Sequence, residues 1–354
     1  MAGNASQRFV FGLEGPELAP RERSTFAANP PLGFLLFRRN LQSAPQTAAL
    51  IAELRGLCSP SPLLFVDQEG GSVDRIGPLA GLNFPSAALL AAKGADRVHE
   101  GAFLMGRAAR LLGFDVDFAP VLDLAQPGTG AVVLEGRCFG FYPEDVTLAG
   151  TVFLHGLARA GVASCVKHFP GLGRGAVDSH LSLPVIDAHD VDLMVTDVHP
   201  FAKLARGADG VMVGHAAYPG FTGDPVPASL SPFVYDLLRE RLGFGGVIYT
   251  DDLTMGALGG SLSERAAAAA AAGADVLVAA RGIDEYAQCV ARVEEAASLP
   301  AAVARRLGEL RARCRSAPRP AFTPEAWASV AVEATAFLEL LEKPRETKTK
   351  REFS

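Results

Sequence analysis

Eight short apolar runs, most separated by stretches of helical length, constrain this chain more than any other feature. They are FVFGL (9–13), GFLLF (33–37), LLFV (63–66), VDFAPV (116–121), ASCV (163–166), GVMVG (210–214), GVIYT (246–250) and DVLVA (275–279). Each is rich in β-branched or aromatic residues and reads as continuously apolar, without strict alternation. That suits parallel strands buried on both faces. Amphipathic, Ala/Leu-rich segments at 43–57, 86–112, 144–160, 231–242 and 261–273 lie between them, with Ser261 and Glu264 spaced as a capping box. Strand–helix alternation repeated eight times predicts a single (β/α)8 barrel. A doubly wound open sheet is the other arrangement of such units, but no glycine-rich nucleotide-binding turn follows the first run. A further helix is expected over 323–343, with Trp327 packing from it. Residues 1–343 are read as one barrel domain with this C-terminal helix, and 344–354, KPRETKTKREFS in context, as a charged, disordered tail.

Composition narrows the function classes. The chain has 354 residues, 49% of them hydrophobic, enough for a large core. A net charge of -6 offers no basic face for nucleic acid and no polybasic patch for a membrane. The first residues lack the charged start and apolar run of a signal peptide, and the least polar stretch, Ala266 to Ala280, is broken by Gly273 and Asp275. Five scattered cysteines show neither metal-ligand nor redox spacing. The expectation is a soluble cytoplasmic protein with no metal and no cofactor.

In a barrel of this kind, chemistry belongs at the C-terminal ends of the strands. Polar residues fall there repeatedly. Arg38, Arg39 and Asn40 follow the second run; Asp67, Gln68 and Glu69 the third; Asp123 the fourth; Lys167 and His168 the fifth; His215 the sixth; Asp251 and Asp252 the seventh; Arg281 the eighth. The segment KHFPGLGRGAVDSH (167–180) is the densest of these. In an extended loop, Asp178 and His180 would lean to one side, so that the carboxylate orients and tunes the imidazole for proton transfer. The glycines at 171, 173 and 175 suggest a mobile loop. Asp251 is a candidate nucleophile, with Asp252 read as a turn residue capping the next helix. Lys167 and His168 are read as ligand-binding. So is Asp67, beside Gly70 and Gly71, which would let backbone approach a ligand. Arg75, Arg137 and His215 can be read either way. His99, His155, His189 and His199 fall in helical stretches and are read as structural or solvated.

The blocks GFLLFRRN, FVDQEGGSVDRI, DFAPVLDL, GRCFG, KHFPGLGRGAVDSH, VMVGHAAYP, PASLSP and GVIYTDDLTMGAL together resemble the glycoside hydrolase family 3 β-N-acetylhexosaminidases of the bacterial cytoplasmic, peptidoglycan-recycling type. The resemblance spans nearly the whole chain and implies a single (β/α)8 barrel. It implies Asp251 as nucleophile, His180 as general acid/base and Asp178 as its dyad partner, with Asp67, Arg75, Arg137, Lys167 and His168 at sugar-binding positions. It implies removal of non-reducing terminal N-acetylglucosamine from muropeptides, through a covalent glycosyl-enzyme with retained configuration. The partner is then a small glycan, handled by a monomer. The same residues leave room for a phosphorylase, in which phosphate replaces water, or for a glycan-binding barrel without catalysis. The chain departs from the family pattern at Leu172 and Arg174, where the loop usually carries smaller polar groups, at Cys138, where Ser or Ala is usual, and in the GTGAVVLE segment before it.

Overall fold

A computed structural model describes residues 5–126, 134–179, 181–296 and 299–343. Its eight strands are β1 (Phe9–Gly12), β2 (Gly33–Leu36), β3 (Leu63–Val66), β4 (Val116–Asp117), β5 (Ala163–Phe169), β6 (Gly210–Val213), β7 (Val247–Asp252) and β8 (Val276–Ala279). They close into a parallel barrel in chain order, with β8 pairing back to β1. The chain is therefore a (β/α)8 barrel. Each strand coincides with one of the eight apolar runs.

The runs are continuously apolar because alternate residues face two different cores. Val10, Val247, Tyr249, Val276 and Val278 point into the barrel. Their neighbours Phe9, Phe11, Ile248, Leu277 and Ala279 point outward against the helices. Phe65, Phe118 and Tyr249 meet edge-to-face or tilted at the barrel centre, with ring centroids 5.2–6.0 Å apart.

The helical expectations hold with local differences. The 86–112 segment is two helices, Ala87–Lys93 and Ala95–Leu112, broken where Gly94 takes φ of 102°. The 231–242 segment begins as Pro232–Asp236 and widens to a π-turn over Leu237–Arg241. Ser261 and Glu264 form the expected capping box at Leu262–Ala272. The helix Pro324–Glu342 packs Phe337 close to Gly101, and Trp327 is partly buried against the core.

Helices beyond those expected from sequence include Pro20–Ala28, Tyr286–Ala296 and Ala301–Ser316. The helix Ala301–Ser316 closes the N-terminal end of the barrel, inserting Val303, Leu307, Leu310 and Cys314 into the interior core. The rim that it covers is ordered by a repeated device. Asp115, Asp209 and Asp275, just before β4, β6 and β8, accept the backbone N–H of Leu64, Ser164 and Ile248 on the preceding strands, at 2.9–3.0 Å. Arginines then neutralise them: Arg55, Arg110 and Arg319 at Asp115, Arg313 at Asp209, and Arg239 and Arg306 at Asp275. Among the described residues no helix is long and apolar enough to cross a membrane. The tail 344–354 lies outside the described residues.

Candidate active site

At the opposite end, every strand from β2 to β8 contributes to one small cavity of about 160 Å³. Leu35, Phe118, Met212 and Val278 are its apolar lining, continuous with the barrel core. Asp67, Glu69, Arg75, Arg137, Lys167, His168, Asp251 and Asp252 are its polar wall. The structure thus brings together Asp251 and all five expected sugar-binding residues.

The loop after β3 is stiffened by Gln68, which is fully buried. Its backbone N–H donates to Asp117 at 2.9 Å, its amide donates to Asp74, and its carbonyl oxygen accepts from the backbone of Arg75 and Ile76. Asp67, Glu69 and Arg75 therefore leave a fixed frame. Gly70 and Gly71 are also needed by that frame. A Cβ on Gly70 would meet the Pro85 carbonyl at 2.2 Å, and one on Gly71 would meet Ser86. Both glycines thus allow a close approach to protein.

Charges in the cavity are paired in series. Lys167 Nζ lies 2.7 Å from Asp67 Oδ1 and 2.6 Å from Glu69 Oε1. Arg137 grips both oxygens of Glu69, at 2.7 and 2.9 Å. Burial pushes the Glu69 carboxyl up, but Lys167 and Arg137 outweigh it and hold the group well below the usual carboxylate range. Glu69 is the acceptor on which both cations converge. Its place after the third run is visible in sequence, but this role is not, because Arg137 reaches it from a distant loop. Asp67 keeps Oδ2 open among the described residues, suited to a ligand hydroxyl.

His168 donates from Nδ1 to Asp123 Oδ2 at 2.6 Å, as assigned from the carboxylate partner, leaving Nε2 as the open nitrogen. Asp123 also accepts the backbone N–H of Leu172 at 2.7 Å, tying β4 to the loop after β5.

The two adjacent carboxylates at the end of β7 divide their work. Asp252 accepts from the backbone of Ala280 and Thr254 and from the Thr254 hydroxyl, at 2.8–2.9 Å. It staples β7 to β8. It does not cap the next helix, which starts at Leu262 behind Ser261. Burial pushes its carboxyl up. Asp251 receives one backbone N–H, from Asp252 at 2.8 Å, and is partly exposed to the cavity. Burial opposes its ionisation, but His215, His168, that N–H and Lys167 prevail, so the carboxyl sits below its ordinary value. His215 is fully buried behind it. Its Nε2 donates to the Asp252 carbonyl at 2.9 Å, and its Nδ1 meets the Ser229 hydroxyl at 2.7 Å.

His180 lies outside the described residues. Its neighbour Ser179 lines the cavity, and the Ser179 carbonyl accepts from Ala257 N–H at 3.2 Å. The loop after β5 therefore reaches across the mouth to the turn after β7. Asp178 opens a turn, its carbonyl accepting from Leu181 and Ser182. The glycines have packing reasons too: a Cβ on Gly171 would strike Asp197 at 2.7 Å, and one on Gly173 the Leu124 carbonyl at 2.0 Å. Part of GTGAVVLE, residues 127–133, also lies outside the described residues.

Among the described residues no group of three or more His, Cys, Asp or Glu could hold a metal ion. A larger cavity of about 920 Å³ runs beside Leu134, Phe139, Phe141, Tyr142 and Leu148, but its described lining has no His, Lys or Arg. The convergent chemistry is in the smaller one.

Comparison with known proteins agrees with this geometry. The model of the glycosyl hydrolase family 3 N terminal domain matches residues 18–307. A β-hexosaminidase of Methylococcus capsulatus is 37% identical over 313 residues, covering 86% of this chain and 92% of that protein. A glycoside hydrolase family 3 β-N-acetylglucosaminidase from a Paenibacillus species superposes with a TM-score of 0.83 at 30% identity, covering 94% of this chain and 68% of that one. NagZ from Neisseria gonorrhoeae, in complex with N-trifluoroacetyl-D-glucosamine, superposes with a TM-score of 0.77 at 29% identity, covering 97% and 100%.

Proposed function

The chain belongs to glycosyl hydrolase family 3 as a β-N-acetylhexosaminidase, and we propose that it releases terminal N-acetylglucosamine by double displacement, with Asp251 as nucleophile. One observation carries the mechanism: among the described residues of the cavity one carboxylate, Asp251, is poised to attack, while the other three, Asp67, Glu69 and Asp252, are already engaged, Asp67 with Lys167. A retaining glycosidase ordinarily needs two carboxyl groups, one of them protonated. Glu69 is kept ionised between Lys167 and Arg137. Asp252 is committed to Ala280 and Thr254. The proton must come from elsewhere, and the loop bearing Asp178 and His180 is what crosses the mouth.

Asp251 then attacks the anomeric carbon as protonated His180 gives its proton to the leaving oxygen. Water, deprotonated by the now neutral imidazole, releases the sugar with its configuration retained. Imidazole titrates near neutral pH and so serves as acid and then base. Asp178 holds the ring and stabilises its cation. Asp67, Arg75, Arg137, Lys167 and His168 seat the sugar by hydrogen bonds to hydroxyl and acetamido groups. Phe118 and Met212 offer it an apolar surface. The resemblance supports muropeptides carrying 1,6-anhydro-N-acetylmuramic acid as natural substrates, and a monomer acting in cytoplasmic cell-wall recycling.

The test is turnover of an aryl β-N-acetylglucosaminide by Asp251→Ala and His180→Ala, with and without azide. Asp251→Ala should fall to background and, in azide, yield the α-glycosyl azide, because the anion enters the vacated nucleophile site. His180→Ala should yield the β-azide. Near-normal turnover by Asp251→Ala would remove the nucleophile assignment. A sugar 1-phosphate formed by the unaltered enzyme in phosphate buffer would make it a phosphorylase.

A further inference from the structure

Two buried carboxylates clamp the start of the loop that crosses the mouth. On one side Asp123 takes the Leu172 N–H, as described above. On the other, Asp197 receives Arg174 Nε at 2.7 Å and the Thr196 hydroxyl at 2.7 Å, all on Oδ2. Arg174 Nη2 also donates to the Thr196 hydroxyl, at 3.2 Å. The Asp197 side chain is fully buried, and its Oδ1 has no partner. Among the described residues Arg174 is the one cation that compensates it. Between the two clamps the chain makes a tight turn, Gly175 N–H to the Leu172 carbonyl at 2.9 Å, and Leu172 is pressed into the cavity wall. Five residues beyond Arg174, Ser179 docks on Ala257.

We infer that the Arg174–Asp197 pair is a latch that holds the loop across the mouth, making Arg174 a positioning residue for proton donation to the leaving group. The inference rests on the reading of Asp178 and His180 as the acid/base dyad. Its logic is spatial. The nucleophile and the sugar-seating residues are anchored at the ends of β3, β5 and β7 or, for Arg137, on Glu69, independently of Arg174. The residues after it have to be placed over the cavity by the loop alone. An ion pair at the loop's root fixes where its far end lands, and a buried carboxylate with a single counter-charge makes that root costly to open. Leu172 and Arg174, the departures from the family pattern that fall within this loop, are the residues that contact the clamps.

The experiment compares kcat/KM for two substrates. The dinitrophenyl β-N-acetylglucosaminide has a leaving group that needs no proton. The methyl or disaccharide β-N-acetylglucosaminide has one that does. Arg174→Met should lose about tenfold or more on the second substrate and less than about twofold on the first, a part of the ~10²–10⁴-fold that acid–base catalysis supplies. Arg174→Lys should recover part of that loss. Arg174→Met alone strands Asp197, so the double variant Arg174→Met/Asp197→Asn separates placement from stability. It should regain the thermal midpoint while still failing selectively on the poor leaving group. Equal losses on both substrates that vanish in the double variant would reduce the pair to a structural role and overturn the inference, as would unchanged activity in Arg174→Met. His180→Ala calibrates the reading beneath it: without a leaving-group-selective loss there, the dyad assignment falls first and takes the latch with it.

Discussion

Asp117 is the residue whose chemistry was hardest to foresee. It sits inside the apolar run VDFAPV at the end of β4, fully buried, with Oδ1 accepting from Gln68 N–H and Oδ2 unpartnered. Burial pushes its carboxyl well above the usual value, beyond what the Gln68 bond and Lys167 offset, with Asp67 and Glu69 pushing the same way. The folded protein thus binds a proton that the unfolded chain releases near pH 4. Stability from this group is full below the unfolded value and falls as pH rises toward the folded one, by about 1.4 kcal/mol for each unit between them. An asparagine at this position would keep the acceptor for Gln68 and cannot ionise. Asp117→Asn should therefore match the parent protein in thermal midpoint near pH 3 and exceed it at pH 7. Scanning calorimetry across that range checks this, and a neutral-pH midpoint below the parent's would show that Asp117 is ionised in the fold. Asp251 and Lys167 were legible because a polar residue at a strand end stands out against its run. Asp117 and Glu69 were not, because the burial that protonates the one and the Lys167 and Arg137 cations that keep the other ionised come together only in the closed barrel.

At the scale of elements, two glycines in helices show when space outweighs propensity. Gly156 lies where Pro143–Ala160 crosses Ala95–Leu112, and a Cβ there would meet the His99 carbonyl at 2.6 Å, Ala102 Cβ at 2.7 Å and Phe103 N at 2.9 Å. Gly308, in the helix that closes the barrel, has nothing within 4 Å. Alanine gains about 1 kcal/mol over glycine in a helix interior. Forced overpacking against backbone costs about 1–3 kcal/mol. Gly308→Ala should stabilise by about 0.5–1 kcal/mol, and Gly156→Ala should destabilise despite the same propensity gain. Urea midpoints measured side by side decide it, and a stabilised Gly156→Ala would mean that the two helices can part freely. The eight strands could be read because burial on two faces leaves a continuous apolar signature. The helix Ala301–Ser316 carried a signal as well, with Val303, Leu307, Leu310 and Cys314 spaced along one face. Its five arginines mask that face in composition, and the rim aspartates explain two of them, Arg306 and Arg313.

Across the whole molecule, the two ends of the barrel use the same residue type for opposite purposes. At the N-terminal rim Asp115, Asp209 and Asp275 hold neighbouring strands in register and are neutralised by arginine. At the C-terminal mouth Asp251 has no salt-bridge partner among the described residues and faces the cavity. A barrel core of packed side chains separates them, so stability and turnover should be separable by substitution. Asp275→Asn keeps an acceptor for the Ile248 N–H but leaves Arg239 and Arg306, largely buried, without their counter-charge. Breaking a buried pair from one side costs about 3–5 kcal/mol. The expected outcome is a urea midpoint lowered accordingly, with kcat/KM per folded molecule within about twofold of the parent protein. Asp251→Ala should show the reverse, turnover at background with the midpoint held or only slightly lowered, because a carboxyl held below its ordinary value contributes a little stability at neutral pH. If Asp275→Asn instead lost turnover while keeping its midpoint, the rim would be coupled to the mouth through the strands, and the separation of the two ends would be wrong.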